Sequence, residues 1–188
     1  MESIQSLYFI DRSEWRSWLE THFKTSPDIW LEYPKKHTGK PRILYNDAVE
    51  EALCFGWIDS TVKSQNPDTT IQRFCPRRAN SSYSQANKER LKWLSEKGMI
   101  HSSLKSQVQA ILSEPFHFPA DILKALKADE EVWENYQQFS DPYKRIRIAY
   151  IESARKRPEE FAKRLRNFIE KTKEHKLIKG FGGIDKYY

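Results

Sequence analysis

Every stretch with strand character in this chain lies before Ile100, and that asymmetry limits the folds open to it. "SLYFI" reads as a short first strand. "DIWLEYPKK" is a second, with Trp30 and Glu32 on one face and Ile29, Leu31 and Tyr33 on the other. "RILYND" reads as another short strand. Trp57 to Lys63 carries the β-branched Ile58, Thr61 and Val62, the turn formers "SQNPD" follow, and "TTIQRFC" returns, which predicts a hairpin stopped by Pro76. Helices fill the gaps. Asp11 stands three residues before Glu14 in capping-box spacing, and Trp15, Trp18, Leu19, His22 and Phe23 follow at helical intervals, predicting a helix over 12–24. Asn46 is placed to cap a helix with Ala48, Val49, Ala52 and Leu53 on its apolar face, ended by Gly56. Ser84 caps a further helix that runs to Lys97 and stops at Gly98.

Beyond Ile100 only helical spacing remains. "SSLKSQVQAILSE" is helical, and Pro115 and Pro119 break the chain in "EPFHFPAD". "ADILKALK" follows, then "ADEEVWENYQQF" with Asp129 as cap, then a helix with Pro142 in its first turn. Pro158 opens the last helix, where Phe161, Leu165, Phe168 and Ile169 form one stripe. The glycine-rich "GFGGIDKYY" is expected to be loose. The class expected is therefore α+β: a small antiparallel sheet with packed helices over 1–100, then an all-helical half over 101–188.

Hydrophobic residues make up only 38%, but aromatics reach 13%, and rings bury enough area each to build a core from few residues. There is no run of eighteen apolar residues, so no membrane insertion is expected, and "MESIQSLYFIDRSEW" lacks the basic and apolar regions of a signal peptide. A cytoplasmic location is expected, with Cys54 and Cys75 as reduced structural thiols. The net charge of +6 is unevenly spread: +2 over 1–100, −4 over 101–143 and +8 over 144–188. That C-terminal excess opens a nucleic-acid reading in which Lys144, Arg145, Arg147, Arg155, Lys156 and Arg157 contact phosphates; the other reading is a solvated basic surface.

The chemistry expected is narrow. The five histidines are scattered without metal-ligand spacing, and there is no nucleophile elbow, phosphate loop or dinucleotide fingerprint, so neither metal nor cofactor is expected. Glu50 and Glu51 are adjacent on a helix, point apart, and are expected at a solvated surface. Cys54 in "ALCF" sits in an apolar setting that raises a thiol's pKa and favours an inert role. One cluster stands out. In "ALCFGWID" Trp57 and Asp59 alternate around Ile58 and share a face. Arg73 lies on the returning strand, and Arg77, Arg78, Ser81, Ser84 and Asn87 follow around a helix start. Guanidinium groups beside a helix N-terminus suit an anion. The binding reading gives Trp57 as a wall, the arginines as charge partners and the serines as donors. The structural reading pairs Asp59 with an arginine and uses Ser84 and Asn87 to cap their helix.

"ALCFGWID", the strand ending "FCPRR", then "SSYSQANKERL" and "GMI", together with "PADILKALKADEEVWENYQQFSDPYKRIRIAYIESARKRPEE", resemble the bacteriocin-protection, YdeI/OmpD-associated family over roughly Trp15 to Lys173. Relative to that family, Tyr83 replaces a common Trp, Cys75 a Thr, and Glu160-Phe161 a Thr-Arg pair. The resemblance implies a small bacterial cytoplasmic protein of stress or bacteriocin protection, with no catalytic residue set to carry over. Three functions follow: binding of a small anionic ligand or protein partner at Trp57, Asp59, Arg73, Arg77, Arg78 and Ser84; a nucleic-acid module; or an undescribed enzyme with Asp59 beside Arg77 as its active site.

Overall fold

The computed structural model describes residues 5–78 and 81–188. Residues 1–4, the start of the stretch read as lacking an export signal, and Ala79 and Asn80, within the arginine and serine run, lie outside the described residues. The chain divides into two compact units, Met1–Ser82 with Leu91–Ala110, and Tyr83–Arg90 with Ile111–Tyr188.

The first unit is built on β1 (Ser6–Leu7), β2 (Ile29–Pro34), β3 (Trp57–Asn66) and β4 (Thr69–Pro76), in the order β1-β2-β4-β3. The hairpin forms as expected, with Pro67 and Asp68 as its turn. β1 runs parallel to β2, so the sheet is mixed rather than antiparallel throughout. Cross-strand pairing of Ile29 with Phe74, Leu31 with Gln72 and Asp59 with Phe74 puts those side chains on one face. Trp30, Glu32 and Arg73 take the other. Between Asp59 and Val62 the register shifts: Asp59 faces Phe74, yet Val62 faces Gln72. This bulge carries one extra residue and returns Val62 to the same face as Asp59.

Helices α1 (Arg12–His22) and α2 (Tyr45–Cys54) cover that face. Asp11 caps α1, accepting from the Ser13 and Glu14 amides, while Glu14 accepts from the Ile10 amide at 2.8 Å. Trp15 is fully buried against Phe74 at 5.6 Å, and its indole N–H donates to the Ala48 carbonyl at 3.0 Å. "RILYND" forms no strand. Ile43 is buried and its amide donates to the Phe9 carbonyl, but Pro41 brings no N–H, and α2 takes over at Tyr45. Asn46 consequently lies inside α2, where its amide donates to Glu50 at 2.7 Å.

Glu50 and Glu51 are not at a solvated surface: they are 0% and 1% exposed. Two arginines one turn apart on α1 reach both. Arg12 donates to Glu51 at 2.6 and 2.8 Å and lies 3.2 Å from Glu50. Arg16 donates to the other Glu51 oxygen at 2.8 Å and to the Met99 carbonyl at 3.1 Å. The two carboxylates therefore do not point apart: both converge on the Arg12 guanidinium.

α3 (Gln85–Glu96) and α4 (Lys105–Ser113) have residues in both units. The second unit also holds α5 (Ala120–Leu126), α6 (Glu130–Gln138), α7 (Asp141–Glu152) and α8 (Pro158–Lys173). Its core joins Ile122, Val132, Tyr143, Ile148 and Phe168, with the Phe161, Leu165 and Ile169 stripe packed against it. Ser140 and Asp129 cap α7 and α6 as N-cap residues. Residues Phe181–Tyr187 form 3-10 turns, Ile184 and Tyr187 are buried, and the Tyr188 ring lies 4.8 Å from Tyr143. Arg147 donates to both the Ile178 carbonyl and the Tyr188 hydroxyl. No helix among the described residues is long and apolar enough to cross a membrane.

Four surface carboxylates of the second unit titrate below their ordinary range. Arg155 holds Asp121 down, Lys173 holds Asp129, Arg164 holds Glu160, and Lys171 with Lys176 holds Glu174. Folded values below the ordinary 3.8 for Asp and 4.5 for Glu mean that the unfolded chain takes up protons first. Their stabilisation is complete above those values and disappears as pH falls through the folded ones. The urea midpoint should therefore drop on acidification from about pH 5 to about pH 2.5. The drop should be shallower in Asp121→Asn/Asp129→Asn; an identical acid slope in that variant would refute the assignment.

Candidate functional site

The residues that the sequence brings together are distributed by the fold over distinct surroundings. Trp57 is 1% exposed and forms no open wall. Its indole donates to the Phe23 carbonyl at 3.0 Å and meets the Trp18 ring edge-on at 5.8 Å. Asp59 shares its face, as alternation requires, but its partners are not arginines. Tyr45 donates to it at 2.9 Å and Gln72 at 2.8 Å. Arg73 is on the opposite face of the sheet, bound to Asp28 at 2.6 Å. Strand period two separates it from Asp59, because Phe74 is the residue opposite Asp59. Arg77 turns back on its own loop, donating to the Ser81 hydroxyl at 3.0 Å and the Ser82 carbonyl at 2.7 Å. Arg78 is exposed. Ser84 and Asn87 belong to the second unit, where the Ser84 hydroxyl accepts from the Asn87 amide and the Asn87 side chain accepts from Arg90 at 3.0 Å.

The basic C-terminal residues are largely engaged. Arg145 makes a two-pronged pair with Glu89 at 2.7 and 2.9 Å. Arg155 binds Asp121 and Glu152, and Lys144 donates to the Gln137 carbonyl at 2.8 Å. With Arg147 tied to the tail, four of the six cations proposed for phosphate already have internal partners. Lys156 and Arg157 are exposed.

A hollow does exist in the first unit, beside Asp59 rather than around Arg77. It has a volume of about 210 Å³ and is lined by Tyr33 of β2, Arg42 and Leu44 before α2, Tyr45 at its start, Val62 of β3, and Thr70 and Gln72 of β4. The sheet positions it: Tyr33, Gln72 and Val62 fall on the face that carries Asp59. The bulge in β3 is what brings Val62 there. Tyr33 is 6% exposed, and its hydroxyl is buried without a hydrogen-bond partner among the described residues. Burial, followed by the nearby Tyr45 and Asp59, pushes its pKa upward, so it keeps its proton. The Arg42 guanidinium lies 5.6 Å from the Tyr33 ring centre, and Arg42 is itself exposed. Leu44 is 66% exposed and Val62 60%, an aliphatic rim facing water.

Sequence reasoning reached Asp59 but not Tyr33, Arg42 or Tyr45. The readable signal was the tyrosine on the inward phase of "DIWLEY"; the rest depends on a pairing between β3 and the start of α2. Among the described residues, no group of His, Cys, Asp and Glu is arranged to hold a metal ion.

Comparison with known families bears on both halves. Residues 7–107 match the family described as Domain of unknown function (DUF8412). The chain belongs to that family. Residues 115–175 match the family Bacteriocin-protection, YdeI or OmpD-Associated. The YdeI/OmpD-associated kinship therefore holds for the helical segment, while "ALCFGWID" and "FCPRR", on which the resemblance also drew, fall within the DUF8412 match. A role of bacteriocin-protection type is the functional content of the second match. No curated protein and no solved structure matches the chain.

Cys54 is fully buried, and burial, with Glu51 adding to it, pushes its thiol up to about 12. Cys75 is partly exposed. Alkylation of the native protein followed by peptide mass mapping should modify Cys75 and leave Cys54 unmodified until denaturant is added. Labelling of Cys54 at the rate of Cys75 would contradict the packing described.

Proposed function

We propose that this protein serves a bacteriocin-protection-type role by binding, and that its binding site is the Tyr33–Arg42 hollow, which takes a small anionic ligand. The observation that carries this reading is the exposed Arg42 guanidinium on the lining of a hollow in the first unit. Arg42 supplies the charge, and its side chain has no carboxylate partner among the described residues.

Asp59 enters this reading as a positioning residue. It holds Tyr45 and Gln72, two walls of the hollow, through one carboxylate oxygen. The arginines first singled out have other duties: Arg73 ties β4 to Asp28, and Arg77 donates to Ser81 and Ser82. The nucleic-acid reading loses weight because most of its cations are engaged inside the second unit.

The test is made in a bacteriocin-sensitive host. Expression of the wild-type protein should raise survival under challenge. Arg42→Gln, an exposed substitution that should leave the melting temperature unchanged, should lose that protection. Full protection by Arg42→Gln would remove the hollow from the function.

A further inference from the structure

Beyond the small-anion reading, we infer that the loop between β2 and α2 docks this protein on an anionic phospholipid surface. Two independent features meet at that loop: a run of cations without partners, and the exposed apolar side chains of the first unit.

The loop reads "PKKHTGKPR" and carries Lys35, Lys36, Lys40 and Arg42 with no acid among them. None of these four cations makes an ion pair among the described residues. The carboxylates around the loop have partners of their own. Asp68 lies 2.9 Å from His37, Asp47 lies 3.3 Å from Arg12, and Asp59 is held by Tyr45 and Gln72. The loop is also fixed in shape. Residues Lys36–Thr38 form a 3-10 turn closed by Gly39 at φ 66°. The Lys35 amide donates to the Asp68 carbonyl at 2.7 Å, and the Tyr8 hydroxyl donates to the Pro41 carbonyl. Cations presented on an ordered backbone lose little conformational freedom when they dock.

Among the described residues of the first unit, the exposed large apolar side chains are Tyr8, Ile10, Leu44 and Val62. Each is tied to this loop. Tyr8 bonds to Pro41. Ile10 follows Phe9, whose carbonyl accepts from the Ile43 amide at 3.0 Å. Leu44 stands two residues beyond Arg42, and Val62 lines the same hollow as both. Apolar groups gathered in water beside unpaired cations mark an interaction surface.

The residue types select the partner. Three of the four cations are lysines, and Lys is depleted from protein–protein interfaces. A single-stranded nucleic acid calls for aromatic stacking platforms, but three of the four apolar groups are aliphatic. Lysines beside aliphatic anchors fit a bilayer. The ammonium groups meet anionic headgroups, and Leu44 with its neighbours enters the acyl boundary. Each cation brought to such a surface strengthens binding about fivefold.

The test is co-sedimentation of the full chain with vesicles of phosphatidylglycerol and phosphatidylcholine in equal parts, against vesicles of phosphatidylcholine alone. The protein should pellet with the anionic vesicles, stay in solution with the neutral ones, and be released by salt. Lys36→Gln/Lys40→Gln changes two exposed positions outside the hollow and should weaken binding about 25-fold. Leu44→Ser should weaken it about fivefold. That variant keeps its fold, because Leu44 is the cap position of α2 and serine is favoured there. Soluble glycerol phosphate should not compete; full competition would make this a small-molecule site and overturn the proposal. Wild-type affinity in Lys36→Gln/Lys40→Gln would move the contact to another basic surface and overturn it as well. Equal binding to neutral vesicles, or binding to duplex DNA or single-stranded RNA with vesicles ignored, would do the same. Bacteriocin survival of Arg42→Gln reads the hollow alone, so the two proposals fail separately.

Discussion

Two adjacent carboxylates with almost no exposure, gripped by two arginines from a neighbouring helix, fix the first unit. Glu50 and Glu51 would each cost several kcal/mol to bury alone. Arg12 and Arg16, four residues apart on α1, make that burial tolerable by giving each carboxylate a charged partner. The grip then determines how α2 lies. It turns Ala48, Val49, Ala52 and Leu53 into the core, brings Cys54 beside Arg16, and sets the first residue of α2, Tyr45, where its hydroxyl reaches Asp59. The walls of the hollow are thus joined to the helix clamp through one continuous piece of chain, from Arg42 to Glu51.

Local features were legible in the sequence because they are local. Asp11 with Glu14, Asp129 and Ser84 all act as caps, and Gly56 takes the left-handed conformation, φ 72°, that ends α2 and starts β3. The hairpin and the confinement of strands to the first hundred residues were equally plain. The errors came where distant partners decide. "RILYND" carries strand-like residues, but Pro41 and the early start of α2 leave nothing to pair. The burial of Glu50 and Glu51 is invisible without knowing that α1 lies across them.

The candidate site illustrates the same limit. Arginines near a helix start look like an anion site in one dimension, but strand phase sends Arg73 to the far face and Arg77 folds onto its own loop. Asp59 faces inward by period and meets Tyr45 and Gln72 instead of an arginine. Tyr33 was placed on the correct face as well, but its unpaired hydroxyl is a property of three dimensions. Arg42 and Val62 gave no signal at all, since one is an ordinary surface arginine in sequence and the other depends on a bulge.

The clamp on which this account rests is tested most directly by a double-mutant cycle on Arg12 and Glu51. Urea unfolding of Arg12→Leu, Glu51→Leu and the double variant gives the coupling. Each single change should cost about 3 kcal/mol, since it strands a buried or half-buried charge. The double variant should be more stable than the sum of the two by about 2 kcal/mol or more. Additive losses would mean that the pair is not coupled, and that the placement of α2 has another cause.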